Sequence, residues 1–146
     1  LLNHADAFKT AIDKLAHKLA KFNFSTIVGI ESRGFIFGAA LAYRMNKPFV
    51  PVRKRNKLPH EVYSMEYELE YGSDILEIHK DALRPDESVI IIDDLLATGG
   101  TVSAVEKLVA LAGGKVQAVA FVIELSFLNG RSKIGCPSLV SLLEYD

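Results

Sequence analysis

The chain has 146 residues, 49% of them hydrophobic and 24% charged, which suits one globular domain with a single core. Its formal net charge of -1 sets up no global field toward nucleic acid or an anionic membrane, and its longest apolar runs fall far short of the roughly 18 residues a membrane helix needs. Cys136 is the only cysteine, so an intrachain disulfide is excluded and a reducing, cytoplasmic setting fits. In chain order, no signal peptide is visible. The chain begins Leu1-Leu2 rather than with Met, so a preceding segment is expected. Phe8, Ile12, Leu15, Leu19 and Phe22 recur at spacings of four and three, one face of an amphipathic helix. Residues 26–30 (TIVGI) are short and β-branched and predict a buried strand. Glu31, Ser32, Arg33 and Gly34 interrupt it, and residues 35–45 return to helical composition. Residues 48–52 predict a strand whose proline confines it to an end or an edge.

Residues 53–71 are polar, contain Pro59 and carry tyrosines at 63, 67 and 71; they predict an extended loop, with a β-hairpin arm as a variant. Residues 75–80 alternate as a strand would. Residues 89–92 form a fully apolar strand, residues 102–111 a helix stopped by Gly113 and Gly114, and residues 116–123 a further buried strand. Residues 127–134 predict a short helix and residues 139–143 a last strand. Strands alternating with helices predict an α/β fold, an open, mostly parallel twisted sheet flanked by helices, as a single domain over residues 1–146.

The strongest chemical signal is residues 89–101, VIIIDDLLATGGT. Open parallel sheets bind ligands beyond the carboxyl ends of their strands. Gly99 and Gly100 let the backbone turn tightly and approach a ligand, and a helix start offers free N–H groups to an anion. Ala97, Thr98, Gly99, Gly100 and Thr101 are therefore a candidate phosphate cradle, and a side chain at Gly99 is expected to fill it. Asp93 and Asp94 would repel a phosphate, but they suit the neutral hydroxyls of a ribose diol. Phosphate on the loop and diol on the acids describe a ribose 5-phosphate. An ordinary helix-capping loop and a Walker-B-like strand remain open on this segment alone, although no GxxxxGK[ST] loop accompanies the latter. No GxGxxG dinucleotide fingerprint occurs either.

The same thirteen residues resemble the signature by which type I phosphoribosyltransferases bind 5-phosphoribosyl diphosphate (PRPP), and DDLLATGGT is similar to the adenine branch of that family. Three further segments agree in order. Glu31-Ser32-Arg33-Gly34-Phe35 resembles the acid-Ser-Arg-Gly-Phe turn assigned to pyrophosphate. Residues 53–59, RKRNKLP, resemble RKxxKLP, so Arg53, Lys54 and Lys57 are implied pyrophosphate ligands, with Arg55 less firmly implied. Residues 69–72, LEYG, resemble a mobile loop over the active site. That match implies Glu70 as the catalytic carboxylate and Tyr71 as a residue that seats PRPP or packs the closed loop.

The resemblance implies the type I fold with a flexible catalytic loop and a purine salvage reaction, in which adenine and PRPP give AMP and pyrophosphate. It implies magnesium held through PRPP rather than by protein ligands, no nucleic-acid or membrane partner, and a homodimer in the cytoplasm. Leu95 is implied as an apolar contact for the base. Ala97 stands where hypoxanthine-type relatives carry an acid. Family members begin with a further segment that completes the base pocket, and this chain starts after it. Rival readings are a xanthine or orotate phosphoribosyltransferase, a non-enzymatic regulator that keeps the fold, and a fragment of a PRPP synthetase. The four histidines, His4, His17, His60 and His79, show no ligand or catalytic spacing.

Overall fold

The computed structural model describes residues 1–69 and 71–146; Glu70, the implied catalytic carboxylate, lies outside the described residues. The first helix, α1 (Ala5–Leu19), buries Ile12, Leu15 and Leu19 on the face that the spacing predicts. Phe22 lies past its end, its N–H donating to the Leu19 carbonyl at 3.0 Å. Strand β1 (Thr26–Ile30) is buried at every position. Helix α2 (Arg33–Met45) starts two residues before the predicted boundary, so Arg33 and Gly34 belong to its first turn.

Strand β2 (Phe49–Lys54) runs two residues past its predicted end and carries Arg53 and Lys54 inside the sheet. Pro51 is nonetheless tolerated there. The Ile27 and Glu31 N–H groups donate to the carbonyls of Pro48 and Val52, so the even-numbered peptide groups of β2 face β1. Pro51 faces the other side, where the neighbouring strand pairs only at Arg53 and Lys54. No ladder bond is lost.

The predicted loop over residues 53–71 is corrected in its second half. Residues 62–68 form β3 (Val62–Glu68), which pairs antiparallel with β4 (Ser73–His79). The hairpin variant is the one realised. Tyr63, Met65 and Tyr67 alternate toward the core, a period of two that the polar residues between them obscure. Strand β5 (Ser88–Leu96) is longer than its apolar run and includes both aspartates. Helix α3 (Gly100–Leu111) ends where the two glycines stop it, and the Gly114 N–H returns to the Val109 carbonyl at 2.9 Å. Strand β6 (Lys115–Leu125) leads to two 3-10 turns, Ser126–Leu128 and Gly130–Lys133, in place of the predicted single helix. Asn129 breaks them apart by adopting a left-handed conformation at φ 53°. Strand β7 (Leu139–Tyr145) closes the chain.

The seven strands lie in the order β3-β4-β2-β1-β5-β6-β7. The five from β2 to β7 are parallel, and the β3-β4 hairpin is antiparallel. Alternation along β5 divides the core: Ile90 and Ile92 pack under α1 and α2, while Val89 and Ile91 pack under α3. Fully burying a side chain of that size contributes roughly 1.5–3 kcal/mol. Both faces being covered explains why the central strands are apolar throughout. Among the described residues no helix is long and apolar enough to cross a membrane.

Candidate active site

Strands β1 and β5 are neighbours, but the chain leaves them in opposite directions, toward β2 and toward β6. The turns that follow them cannot cover each other, so a crevice opens at the carboxyl end of the sheet. A cavity of about 380 Å³ lies there. Glu31, Ser32 and Arg33 wall it from β1. Asp93 to Gly99, with Thr101 and Val102, wall it from β5. Lys54, Tyr67 and Leu69 complete it from the hairpin side.

Gly99, at φ 85°, is the N-cap of α3. The first bond of the helix runs from the Ser103 N–H to the Gly99 carbonyl, so the N–H groups of residues 100–102 have no helical acceptor. With the Thr98 and Thr101 hydroxyls they form an anion-binding end. The expected filling of the cradle by a side chain at Gly99 is corrected: a Cβ there would stand 2.4 Å from the Gly130 carbonyl oxygen instead. A Cβ on Gly130 would in turn meet the Ala97 oxygen at 2.4 Å. The loop therefore rests backbone to backbone on the Asn129-Gly130 turn. That turn is anchored by Arg131, which donates twice to the buried Glu124 carboxylate at 2.5 and 2.7 Å; the Ser141 hydroxyl adds a third bond at 2.6 Å. Sequence reading missed this support, and its visible sign is Asn129-Gly130 followed by arginine.

Asp93 and Asp94 lie within β5, and the Asp94 N–H donates to Asp93 Oδ1 at 2.8 Å. Gly34 lets α2 approach this point, because a Cβ there would stand 2.9 Å from Asp93 Oδ1. Burial pushes the Asp93 carboxyl up to about 8; the Asp94 N–H opposes the rise, the neighbouring Asp94 carboxylate adds to it, and Arg33 opposes it. Asp94 accepts from Arg33 Nε at 2.5 Å, a contact that raises the arginine further above its ordinary range.

The cations divide into two sets. Lys54 reaches the cavity, where it pairs with Asp74 and donates to the Tyr67 hydroxyl at 3.3 Å. Arg53 and Lys57 are not in the cavity wall; both pair with Glu31, at 3.3 and 2.6 Å. Burial raises the Glu31 carboxyl, but hydrogen bonds from Lys57, the Lys54 N–H and Arg53 outweigh it and hold the group below the usual carboxylate range. Arg55 is exposed. Leu95 lines the cavity, whereas Tyr71 is 89% exposed and stands outside its wall. Among the described residues no group of three His, Cys, Asp or Glu stands close enough to hold a metal ion.

Residues 2–133 match the family described as phosphoribosyl transferase domain. The chain is similar to the adenine phosphoribosyltransferase of Clostridium kluyveri, 51% identical over 146 residues, which is all of this chain and 85% of that protein. Its structure is similar to the crystal structure of adenine phosphoribosyltransferase from Thermoanaerobacter pseudethanolicus, with a TM-score of 0.96 and 52% identity over 99% of this chain and 84% of that one. The Saccharomyces cerevisiae adenine phosphoribosyltransferase, solved with an imino-altritol bisphosphate and adenine, matches with a TM-score of 0.90 and 41% identity over 97% of this chain and 82% of that one.

Proposed function

The chain belongs to the phosphoribosyltransferase family, and from that premise we infer that it is a purine salvage enzyme that transfers the 5-phosphoribosyl group of PRPP to adenine. The products are AMP and pyrophosphate, and the enzyme is a glycosyltransferase of the pentosyl-transferring kind. One observation carries the assignment of parts: Ala97, Thr98, Gly99 and Thr101 of the helix-end loop, the Asp93-Asp94 pair and the Ser32-Arg33 turn share one cavity at the switch point of the sheet.

The free N–H groups at the start of α3 and the hydroxyls of Thr98 and Thr101 bind the 5-phosphate. Asp93 and Asp94 accept the 2- and 3-hydroxyls of the ribose. Ser32, Arg33 and Lys54 take the pyrophosphate, with Arg53 and Lys57 behind them. Leu95 presents an apolar surface to the base. As the bond from ribose C1 to pyrophosphate loosens, C1 gains positive character and the leaving group gains negative charge. Donors already fixed around that charge stabilise it without reorganisation, typically the largest catalytic term. Adenine N9 attacks the opposite face, so C1 inverts. Glu70 manages the proton on the base, and the loop bearing Leu69 and Tyr71 excludes water during transfer.

The donor set fits magnesium that arrives on PRPP: of the acids in the wall, Asp94 pairs with Arg33 and Glu31 with Arg53 and Lys57, rather than joining Asp93 in a cage of their own. When bound with PRPP, the ion would supply charge neutralisation to the substrate, and Asp93 and Asp94 would hold the ribose hydroxyls beside it. A homodimer in the cytoplasm follows from the family resemblance, and the single cysteine is in keeping with a reducing compartment.

The deciding assay mixes PRPP and magnesium with adenine, hypoxanthine, guanine, xanthine or orotate and follows pyrophosphate release. Release is expected with adenine above the other bases. Release with another base in preference reassigns the substrate, and release with none leaves the fold as a binding regulator.

A further inference from the structure

Glu31 is an anomaly in a site for a highly anionic ligand. It directly follows β1 in the cavity wall, and its side chain is only 8% exposed. By Coulomb's law a carboxylate there repels pyrophosphate, and burial makes the repulsion stronger. Its bonds explain its presence. Oε1 accepts the Lys54 N–H at 2.8 Å, while Oε2 accepts Lys57 Nζ at 2.6 Å and Arg53 Nη2 at 3.3 Å. All three donors belong to the basic stretch of residues 53–57.

That stretch is otherwise held at its β2 end, where Arg53 and Lys54 pair with β4 and Lys54 pairs with Asp74. It leaves β2 through Asn56, which stands at φ 66°, and a second buried acid, Glu77, accepts the Asn56 N–H at 2.7 Å. Arg53 Nη1 reaches the Lys57 carbonyl at 3.4 Å, so the guanidinium also closes the turn on itself. Long cationic side chains lose rotamer freedom when they are aimed, and a buried acceptor that fixes them beforehand removes that loss from the binding step.

We propose that Glu31 is a positioning residue: it holds Arg53 and Lys57 behind the cavity wall and sets the course of the backbone turn that carries Lys54 into the pyrophosphate site. This rests on the reading of the cavity as a PRPP site. It makes a prediction opposite in sign to simple electrostatics. Coulomb's law alone has Glu31→Gln bind pyrophosphate more tightly, because a repelling charge is gone. Positioning has it bind more weakly, because the basic turn that presents Lys54 is no longer held.

The test is titration calorimetry of the full chain with magnesium pyrophosphate and, separately, with AMP. Glu31→Gln is expected to weaken pyrophosphate about tenfold or more, the scale of a lost hydrogen bond to charge, and to leave AMP within about twofold. Glu31→Asp, which keeps the charge on a shorter arm, should recover part of the loss, and it serves alone if the Gln variant does not fold. In a Lys57→Ala background, Glu31→Gln should cost less than it does in the parent. Pyrophosphate bound equally or more tightly by Glu31→Gln overturns the positioning role alone. A parent chain that binds AMP but no pyrophosphate overturns it together with the assignment of this turn.

Discussion

Arg33 donates from Nε to Asp94 Oδ2 at 2.5 Å, so a cation at the start of α2 closes onto a carboxylate of β5 across the crevice. The proposed roles place these residues on different parts of PRPP, the arginine on pyrophosphate and the aspartate on the ribose. PRPP must therefore part them and offer each a new partner. Arg33→Ala is expected to weaken pyrophosphate by about tenfold or more, the scale of one charged hydrogen bond. Ribose 5-phosphate should bind equally or more tightly, since Asp94 is released. Calorimetry with each ligand separates the two, and a loss confined to ribose 5-phosphate refutes the division.

Gly99→Ala tests how the phosphate loop is supported. The added carbon would meet the Gly130 carbonyl at 2.4 Å at a φ of 85°, so the loop must shift. A residue forced into such a conformation costs of the order of 1–3 kcal/mol. Both thermal stability and AMP affinity should fall, and Gly130→Ala should do the same through the Ala97 carbonyl. If Gly99→Ala loses AMP affinity while stability is untouched, the side chain acts in the cradle and not against the turn.

Arg131→Ala reaches the same loop from beneath. Removing one partner of a buried ion pair costs about 3–5 kcal/mol, and half-exposure of the arginine lowers this to about 2–3 kcal/mol. Denaturant unfolding measures the loss. Adding Glu124→Gln should restore part of it, because the buried charge left behind is then removed. No recovery in the double variant would show that the arginine acts by packing alone.

Asp93 predicts a pH dependence of stability. Its folded value is raised to about 8 from an ordinary 3.8, so the folded state holds a proton that the unfolded state releases. Its contribution is then fully present below about 3.8 and is lost as pH rises through about 8. The difference in stability between the parent and Asp93→Asn should fall steadily from pH 4 to pH 8 in thermal unfolding. A difference that is level or rises with pH removes the buried proton from the account.

Glu70→Gln addresses the chemical step. Turnover should drop by roughly 10²–10⁴-fold, the usual contribution of a positioned proton-transfer group, with PRPP affinity little changed. Turnover equal to that of the parent takes Glu70 out of the reaction.

Much of this protein can be read along the chain, because periodicity and turn chemistry are local. The five buried residues of β1, the apolar run of β5 and the glycine stop after α3 each carry their own signal. The Asp-Asp and Thr-Gly-Gly-Thr segments do so as well, since a carboxylate pair and a helix start imply ligands of opposite kinds. The hairpin was half hidden because Tyr63, Met65 and Tyr67 alternate with polar residues whose outer face meets solvent. Contacts between distant segments carry no local signal that names their partners. Gly99 needs Gly130, Asp93 needs Gly34, and the basic stretch of residues 53–57 needs Glu31, partners 22 to 59 positions apart in sequence. Strand neighbours in the sheet bring them together: β5 beside β6, β1 beside β5, and β1 beside β2. Close backbone approach and charge pairing depend on distance in space, so they are decided where strands meet and not where residues are written.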